Sequence, residues 1–280
     1  MGSDGRCVQC CERSFDQLLS GARCRLEKLL KTCWVLNAGL IAYGDACELQ
    51  QRLVEARKGG EIPDVLLFCE HPHVITMGRN AKQSNLLASK RVLAQRGVEL
   101  AQTDRGGDVT YHGPGQVVGY PILDLTEHRR DVRWYVEQLE EVMIRTTADF
   151  GAGARRSSAG HGVWVEGPNG EEKLGAIGVH LSRWVTSHGF AYNVATDLRY
   201  FDSIVPCGIQ GKRATSLERA MGREVSCGEV RERLEARFAE VFGGKMIPVS
   251  RLELEEAMAK SEGPGAKPLV EEVMAMGSEA

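Results

Sequence analysis

Cys207 is the first candidate for covalent chemistry in this chain. It lies in the run Val205-Pro206-Cys207-Gly208. The proline holds the preceding residue in an extended conformation, and the glycine permits unusual backbone angles just after the thiol. A thiol fixed in this way at the end of a strand could act as a nucleophile, although a free cysteine is more often a small buried apolar side chain.

Two further segments begin with a side chain that could hold or move a proton. They are Lys173-Leu-Gly-Ala-Ile-Gly178 and His188-Gly-Phe-Ala191. A lysine that leads an apolar run is ordinarily a solvated strand end. A histidine at the start of a strand can equally be a hydrogen-bonded polar residue without a catalytic role. The residue types alone leave both interpretations open.

The segment Arg105–Gln116 has four glycines among its twelve residues. Glycines let the backbone approach a ligand closely and expose its N–H groups, and the neighbouring Thr110, Tyr111 and His112 add hydrogen-bonding side chains. The segment matches neither a phosphate-binding P-loop nor a dinucleotide-binding fingerprint. We therefore predict a glycine-rich loop, which is either a ligand-binding loop or a tight polar turn between strands.

The elements that position these segments are predicted from hydrophobic periodicity and capping residues. Apolar residues from Ala42 to Ala56 indicate a helix that ends at Gly59-Gly60, and Asp131 and Ser226 each begin a further amphipathic helix. A helix is also predicted over 84–96, ended by Gly97. Strands are predicted over the segments Val65–Phe68, Val98–Thr103, Gln116–Leu125, Val163–Glu166, Lys173–Leu181 and Phe190–Val194.

This order of helices, hairpins and single strands predicts an α/β or α+β fold with a mixed central sheet. We expect one domain over residues 34–250, preceded by a poorly ordered extension over 1–33 and followed by a loosely held tail over 251–280. The chain has 280 residues, 42% of them hydrophobic, and a formal net charge of −3. This composition argues against disorder, and the charge gives no general attraction to nucleic acid.

The nine cysteines point to a reducing compartment rather than to disulfides. Their number is odd, and the first 33 residues lack the apolar core of a secretory signal. Cys7, Cys10 and Cys11 have no second ligand pair at zinc-finger spacing, so we expect no metal and no other cofactor. No apolar stretch is long enough to span a membrane, and we expect a cytoplasmic protein with no membrane partner.

Several segments, taken together, are similar to the motifs of one family. The chain resembles the lipoate-protein octanoyltransferases, which belong with the lipoate and biotin protein ligases. The likeness runs from about Trp34 to Phe242. It rests on the motifs Glu70-His-Pro-x-Val-x-Thr-x-Gly-Arg79, Arg105-Gly-Gly-x-x-Thr-Tyr-His-x-x-Gly-Gln-x-Val-x-Tyr120, Lys173-x-x-Ala-Ile-Gly178, His188-Gly-Phe-Ala191 and Pro206-Cys-Gly-Ile209.

The resemblance implies a mixed sheet flanked by helices and a transfer of octanoyl through a cysteine thioester. Cys207 would be the nucleophile, and Lys173 would favour its thiolate and later serve as base for the incoming amine. The implied substrate-contacting residues, by position in the motifs, are Arg105, Gly106, Gly107, Asp108, Val109, Thr110, Tyr111, His112, Ala176, Ile177, Gly178, Gly189, Phe190 and Ala191.

The implied partners are octanoyl-acyl carrier protein as donor and lipoyl domains as acceptors. The acceptors would be the lipoyl domains of 2-oxoacid dehydrogenases and the glycine cleavage H protein. Arg155-Arg156 and Lys212-Arg213 are candidate docking charges, although such residues are more often solvated surface charge. Three alternatives stay open. They are an ATP-dependent lipoate or biotin ligase, a non-catalytic carrier-binding protein, and a cysteine hydrolase whose base is His112, His180 or His188.

Overall fold

A computed structural model describes residues 31–168, 170–205 and 212–259. Cys207 and the cysteines at 7, 10, 11 and 24 lie outside the described residues. No helix in these three ranges combines the length and the apolar character that crossing a membrane requires.

The central sheet is mixed, as predicted. Its strands are β1 (Lys31–Leu40), β2 (Asp64–Glu70), β6 (Gln116–Ile122), β7 (Ala154–Ser157), β8 (Gly160–Gly167), β9 (Gly170–Ser182), β10 (Val185–Asn193), β11 (Arg213–Ala214) and β12 (Gly244–Pro248). They lie in the order β12-β1-β2-β6-β10-β9-β8-β7, and the short β11 pairs with β9 outside this path. β1 is parallel to both of its neighbours, whereas every neighbouring pair from β2 to β7 along this order is antiparallel.

Helices cover both faces of this sheet. α3 (Val132–Asp149) and α5 (Cys227–Phe242) pack on one face, where Leu66 and Phe68 of β2 point. α1 (Tyr43–Gly59) and α6 (Arg251–Ala259) pack on the other, against Val65 and Leu67. Successive residues of a strand point to opposite faces, so the unbroken apolar run of β2 serves both cores.

A second, three-stranded sheet stands beside the first. It has the order β4-β3-β5, formed by β3 (Val74–Met77), β4 (Glu99–Gln102) and β5 (Val109–His112). Its own core includes Ile75, Leu93 and Tyr111. The remaining elements are α2 (Lys90–Gln95), α4 (Leu217–Met221) and two 3₁₀ turns, at Gln83–Asn85 and Leu198–Ser203.

Most predicted elements are confirmed, including the caps by Asp131 and Ser226 and the hairpin between β8 and β9. The helix over 84–96 is wrong for its first half, because only Lys90–Gln95 is α-helical. The backbone N–H groups of Leu87 and Ala88 instead donate to the Ser203 carbonyl, at 2.9 and 3.1 Å. This tertiary pairing prevails over local helix preference.

Three boundaries also need correction. The glycine-rich loop over 105–116 contains a buried strand, β5. Residues 31–33 are not part of a loose extension, because they belong to β1. Residues 251–259 are not a loose tail, since they form α6, whose Leu254 and Met258 are buried. Of the apolar residues in this helix only these two, one turn apart, are buried, so the apolar pattern that marks it in the sequence is weak.

Candidate active site

A cavity of about 440 Å³ opens along β9 and β10. The register of the two strands sets Ala176 opposite Ala191 and Gly178 opposite Gly189, so one stretch of paired strand forms much of its wall. The cavity is lined by twelve of the fourteen residues predicted to contact substrate, namely Arg105, Gly106, Gly107, Asp108, Thr110, His112, Ala176, Ile177, Gly178, Gly189, Phe190 and Ala191, and also by Lys173.

The other two predicted residues, Val109 and Tyr111, do not line this cavity. Both are fully buried in the core of the small sheet. The Tyr111 ring stacks on Tyr200 with centroids 5.1 Å apart, and its hydroxyl lies 2.7 Å from His73 Nδ1. Alternate residues of β5 point to opposite sides, so only part of a contiguous motif can face one cavity. Tyr111 therefore belongs to the support of the site.

Lys173 lies on β9 at the end of the cavity-lining stretch and is 9% exposed. Its Nζ is 5.2 Å from the centroid of the Trp164 ring, a cation–π distance. β11 runs parallel to β9 with Ala214 opposite Lys173, and Thr215 N donates to the Lys173 carbonyl at 2.9 Å. The chain that follows Cys207 by a few residues is thus paired with the strand that carries Lys173.

The chain on the other side of position 207 is held by the small sheet and its loops. Val205 N donates to the Asn85 carbonyl at 2.8 Å, and Ile204 forms an isolated bridge with Leu86. The Asn85 side chain donates to Asp108 Oδ2 at 2.5 Å. Asn85 therefore connects Asp108 of the glycine-rich segment with Val205, which directly precedes Pro206.

A buried relay connects the same segment to the residues after position 207. His112 Nδ1 lies 2.7 Å from Gln116 Oε1, and Gln116 Nε2 donates to Asn193 Oδ1 at 2.8 Å. Asn193 Nδ2 donates to the Thr215 carbonyl at 3.0 Å. Residues 105–116 thus fix both described flanks of the cysteine segment. Asn85, Asn193 and Thr215 could not be predicted from the sequence, because each acts through a long-range contact that no local pattern marks.

Arg105 lines the cavity but its guanidinium is turned into the fold. It donates to the hydroxyl and carbonyl of Thr76, at 2.8 and 2.9 Å, and to the Asp108 carbonyl at 2.8 Å. Gly106 N donates to the Val179 carbonyl at 2.9 Å. This bond attaches the glycine segment to β9 beyond the residues of β9 that pair with β8. Arg105 therefore fixes the shape of the loop that borders the cavity.

The chain is similar to known proteins of one family. Residues 42–239 match the model of the lipoyl protein ligase A/B catalytic domain. An octanoyltransferase of Solibacter usitatus is 52% identical over 223 residues, which cover 80% of this chain and 99% of the relative. An octanoyltransferase of Myxococcus xanthus is 44% identical over 245 residues, 86% of this chain and 69% of that protein.

The chain belongs to the lipoyl protein ligase A/B family. The relatives from Solibacter usitatus and Myxococcus xanthus are both octanoyltransferases. Two solved structures share the fold. Lipoate-protein ligase A bound with ATP has a TM-score of 0.62 at 17% identity, covering 83% of this chain and 93% of its own. A bi-partite lipoate protein ligase of Thermoplasma acidophilum has a TM-score of 0.65 at 18% identity, covering 82% and 91%.

The thiols that the structure describes are poor nucleophiles. Burial raises the pKa of Cys33 and Cys69 far above neutrality, and it raises the pKa of Cys47 and Cys227 to about 11. A thiol in that range is almost entirely protonated at neutral pH. In the described ranges, moreover, no three His, Cys, Asp or Glu side chains are grouped so that they could hold a metal ion.

Two buried histidines at the cavity are neutral. Among the described residues, His71 Nδ1 contacts the Ile41 carbonyl at 2.8 Å and His112 Nδ1 contacts an amide oxygen, so both nitrogens carry the proton and donate. Burial, with a smaller contribution from His71 and Arg105, lowers the pKa of His112 to about 3, and burial also lowers the pKa of His71.

These histidines predict a loss of stability in acid. An unfolded histidine binds a proton near pH 6.5 whereas folded His112 does so only near pH 3, so the unfolded state binds more protons between these values. The free energy of unfolding should therefore fall as the pH drops below 6.5, by about 1.4 kcal/mol per pH unit for His112, and the lowered pKa of His71 acts in the same direction. Urea unfolding at pH 7 and pH 5 measures the slope. His112→Gln should flatten it and the exposed His161→Gln should not; equal slopes in all three proteins would contradict the assignment.

Gly178 is predicted to tolerate no side chain. A Cβ there would lie 2.9 Å from the Gly106 carbonyl oxygen and 3.1 Å from Arg105 Cδ, so the glycine segment would have to move away from β9. Gly178→Ala should lower the free energy of unfolding by about 1–3 kcal/mol, as expected for overpacking. Gly153→Ala, whose Cβ would meet nothing within 4 Å, is the control and should change it by less than about 0.5 kcal/mol. Equal effects in the two variants would refute this.

Proposed function

We propose that this protein transfers an octanoyl group from the thioester of acyl carrier protein to a lysine of a lipoyl domain, through a thioester on Cys207 and without ATP. The observation that carries the proposal is the position of Lys173, at one end of a cavity whose wall along β9 and β10 consists mostly of small and apolar residues. Arg213 and Ala214, which follow Cys207 in the chain, are paired with that same strand.

In the first step the Cys207 thiolate attacks the thioester carbonyl. The proton of its thiol resides on Lys173, whose positive charge stabilises the thiolate. A carbon–sulfur bond forms to Cys207, the carbon–sulfur bond of the donor breaks, and the leaving thiolate takes the proton from Lys173. The enzyme then holds an octanoyl thioester beside a neutral lysine side chain.

In the second step the amine of the acceptor lysine attacks this thioester. Neutral Lys173 takes a proton from the attacking nitrogen, an amide bond forms, and the Cys207 thiolate leaves beside the restored ammonium. The thioester supplies the energy that a ligase draws from ATP, so the two steps balance without another reactant. The chain of eight carbons lies along Ala176, Gly178 and Ala191, where small residues leave room for it.

The proposed partners are an acyl carrier protein and the lipoyl domains of 2-oxoacid dehydrogenases or the glycine cleavage H protein, in the cytoplasm. Three of the four residues considered as docking charges already have internal partners. Arg155 pairs with Glu166 at 2.8 Å, Arg156 with Glu140 at 2.9 Å and Lys212 with Glu171 at 3.1 Å. Such pairs leave less charge for an acidic partner, so Arg213, which is exposed, is the preferred contact.

A reconstituted transfer assay tests the proposal. The protein is mixed with octanoyl-acyl carrier protein and a lipoyl domain in the absence of ATP, and acylation of the domain is followed by mass spectrometry. We expect the octanoyl domain to accumulate under these conditions. A requirement for free octanoate and ATP would favour the ligase alternative, and binding of the domain with no turnover would favour the carrier-binding alternative.

The hydrolase alternative is the least favoured by position. His180 and His188 lie on the part of the β9–β10 pair that is farther from Lys173, next to the hairpin turn, and both contact Asp104. The low pKa of His112 makes it a weak base, and its Nδ1 is occupied by Gln116. By contrast, Arg213 and Ala214, the described residues that follow the cysteine segment, pair with the strand that carries Lys173.

A further inference from the structure

A second cavity continues the line of the first along β9 and β10. It has a volume of about 380 Å³ and lies between α1 and the hairpin end of the two strands. The register places Val179 opposite His188 at the end of the first cavity, and the next pair, His180 and Ser187, lines the second. His188 lines both cavities and stands between them.

The two cavities differ in chemical character. The first presents Val118, Ile177, Phe190 and Ala191 to its contents. The second is lined mainly by polar and charged side chains, namely Gln50, Gln51, Glu55, Lys58, Asp104, His180, Ser182 and Ser187. An alkyl chain is stabilised in the first cavity because it buries its apolar surface there, whereas the second cavity has little apolar surface for it to contact. His188 therefore marks the boundary between an apolar and a polar compartment.

His188 is fixed at this boundary from two sides. Its backbone has a φ of 54°, a left-handed conformation that is unfavourable for a residue with a side chain, and its N–H donates to Gln50 Oε1 at 2.7 Å. Its ring nitrogen Nε2 donates to Asp104 Oδ1 at 2.7 Å, and Asp104 also contacts His180 Nδ1 at 2.5 Å. The ring is thus held in place rather than free to swing aside.

We propose that His188 is the end wall of the acyl cavity and sets the upper length of the acyl chain. This rests on the proposed function, which puts the acyl carbonyl at Lys173 and sends the alkyl tail along Ala176 and Gly178 toward His188. A tail longer than the cavity meets the imidazole ring. Without that ring it would pass into the second cavity.

The test compares acyl chains of two lengths in three variants. The ratio of kcat/KM for dodecanoyl- over octanoyl-acyl carrier protein is measured for the unmodified protein, His188→Gly and Ser187→Gly. Glycine adopts the positive φ without strain and removes the ring. We expect the ratio to rise at least about tenfold in His188→Gly, because the longer tail no longer clashes with the ring, and to stay within twofold in Ser187→Gly, which lines only the second cavity.

A second variant keeps the test decisive if His188→Gly does not fold. Asp104→Ala removes the partner of the ring at a half-exposed position, and we expect the ratio to rise about threefold as the ring is released. An unchanged ratio in both variants, or in Asp104→Ala alone when His188→Gly is unfolded, would overturn the proposal.

Direct binding separates this proposal from the proposed function. Calorimetric titration with octanoate and dodecanoate measures the same preference without turnover. If the unmodified protein transfers no acyl group but the binding ratio shifts toward dodecanoate in His188→Gly, the function is wrong and the end wall is supported. If transfer proceeds while neither the kinetic nor the binding ratio shifts, the end wall is wrong. If neither acid binds to any variant, the cavity holds no alkyl chain and the proposal fails.

Discussion

Replacement of Cys207 by serine is expected to abolish both the covalent octanoyl adduct and the acylation of a lipoyl domain. A serine hydroxyl is not ionised beside an ammonium at neutral pH, whereas a thiol can be. Transfer should fall by at least about 10³-fold, as is typical when a covalent nucleophile is removed. The rate of lipoyl-domain acylation, measured by mass spectrometry with octanoyl-acyl carrier protein as donor, checks this.

The described cysteines provide the matched control. Cys227 is half-buried and burial raises its pKa to about 11, so Cys227→Ser should leave transfer within about twofold of the unmodified protein. Persistence of transfer in Cys207→Ser, or its loss in Cys227→Ser with the fold intact, would place the nucleophile elsewhere.

Replacement of Lys173 by methionine should slow both chemical steps. Methionine keeps the packing beside Trp164 but supplies neither a positive charge for the thiolate nor a base for the acceptor amine. We expect transfer to fall by about 10²–10⁴-fold, the usual contribution of a positioned acid or base. The pH profile of Cys207 alkylation should also move to higher pH, because the thiolate loses its neighbouring cation.

Lys212→Met is the matched control for this variant. Lys212 Nζ also lies near the Trp164 ring, 5.9 Å from its centroid, but it is ion-paired with Glu171. Removing it should change the chemical steps little, with the alkylation profile unmoved. Equal losses in the two lysine variants would show that Lys173 acts through surface charge or packing, and an unmoved profile in Lys173→Met would contradict its role beside the thiol.

The sequence predicts the elements that local patterns mark. The apolar stripe of α3 repeats with helical spacing, and capping residues mark the starts of α3 and α5. The strands beside the cavity carry apolar runs bounded by glycine and proline. In α6 only Leu254 and Met258 are buried among the apolar residues, and the first half of the predicted helix over 84–96 hydrogen-bonds to the Ser203 carbonyl instead. Both depend on contacts with distant parts of the chain.

The same distinction holds for the candidate site. The motif residues identify most of the cavity wall, because contiguous residues of two paired strands stay together in the fold. They do not separate Tyr111, which supports the fold, from His112, which lines the cavity. Asn193 is invisible to pattern analysis, since its role comes from meeting Gln116 and the Thr215 carbonyl across long sequence distances.

The central claim is that a fatty acyl group passes through the sulfur of Cys207. The most direct measurement mixes the protein with octanoyl-acyl carrier protein without an acceptor, stops the reaction in acid, and locates any octanoyl group by intact-mass and peptide mass spectrometry. We expect one octanoyl thioester, on the peptide that contains Cys207, and we expect it to disappear when a lipoyl domain is added. Transfer to the domain with no acyl-enzyme, or an octanoyl group on a different residue, would contradict it.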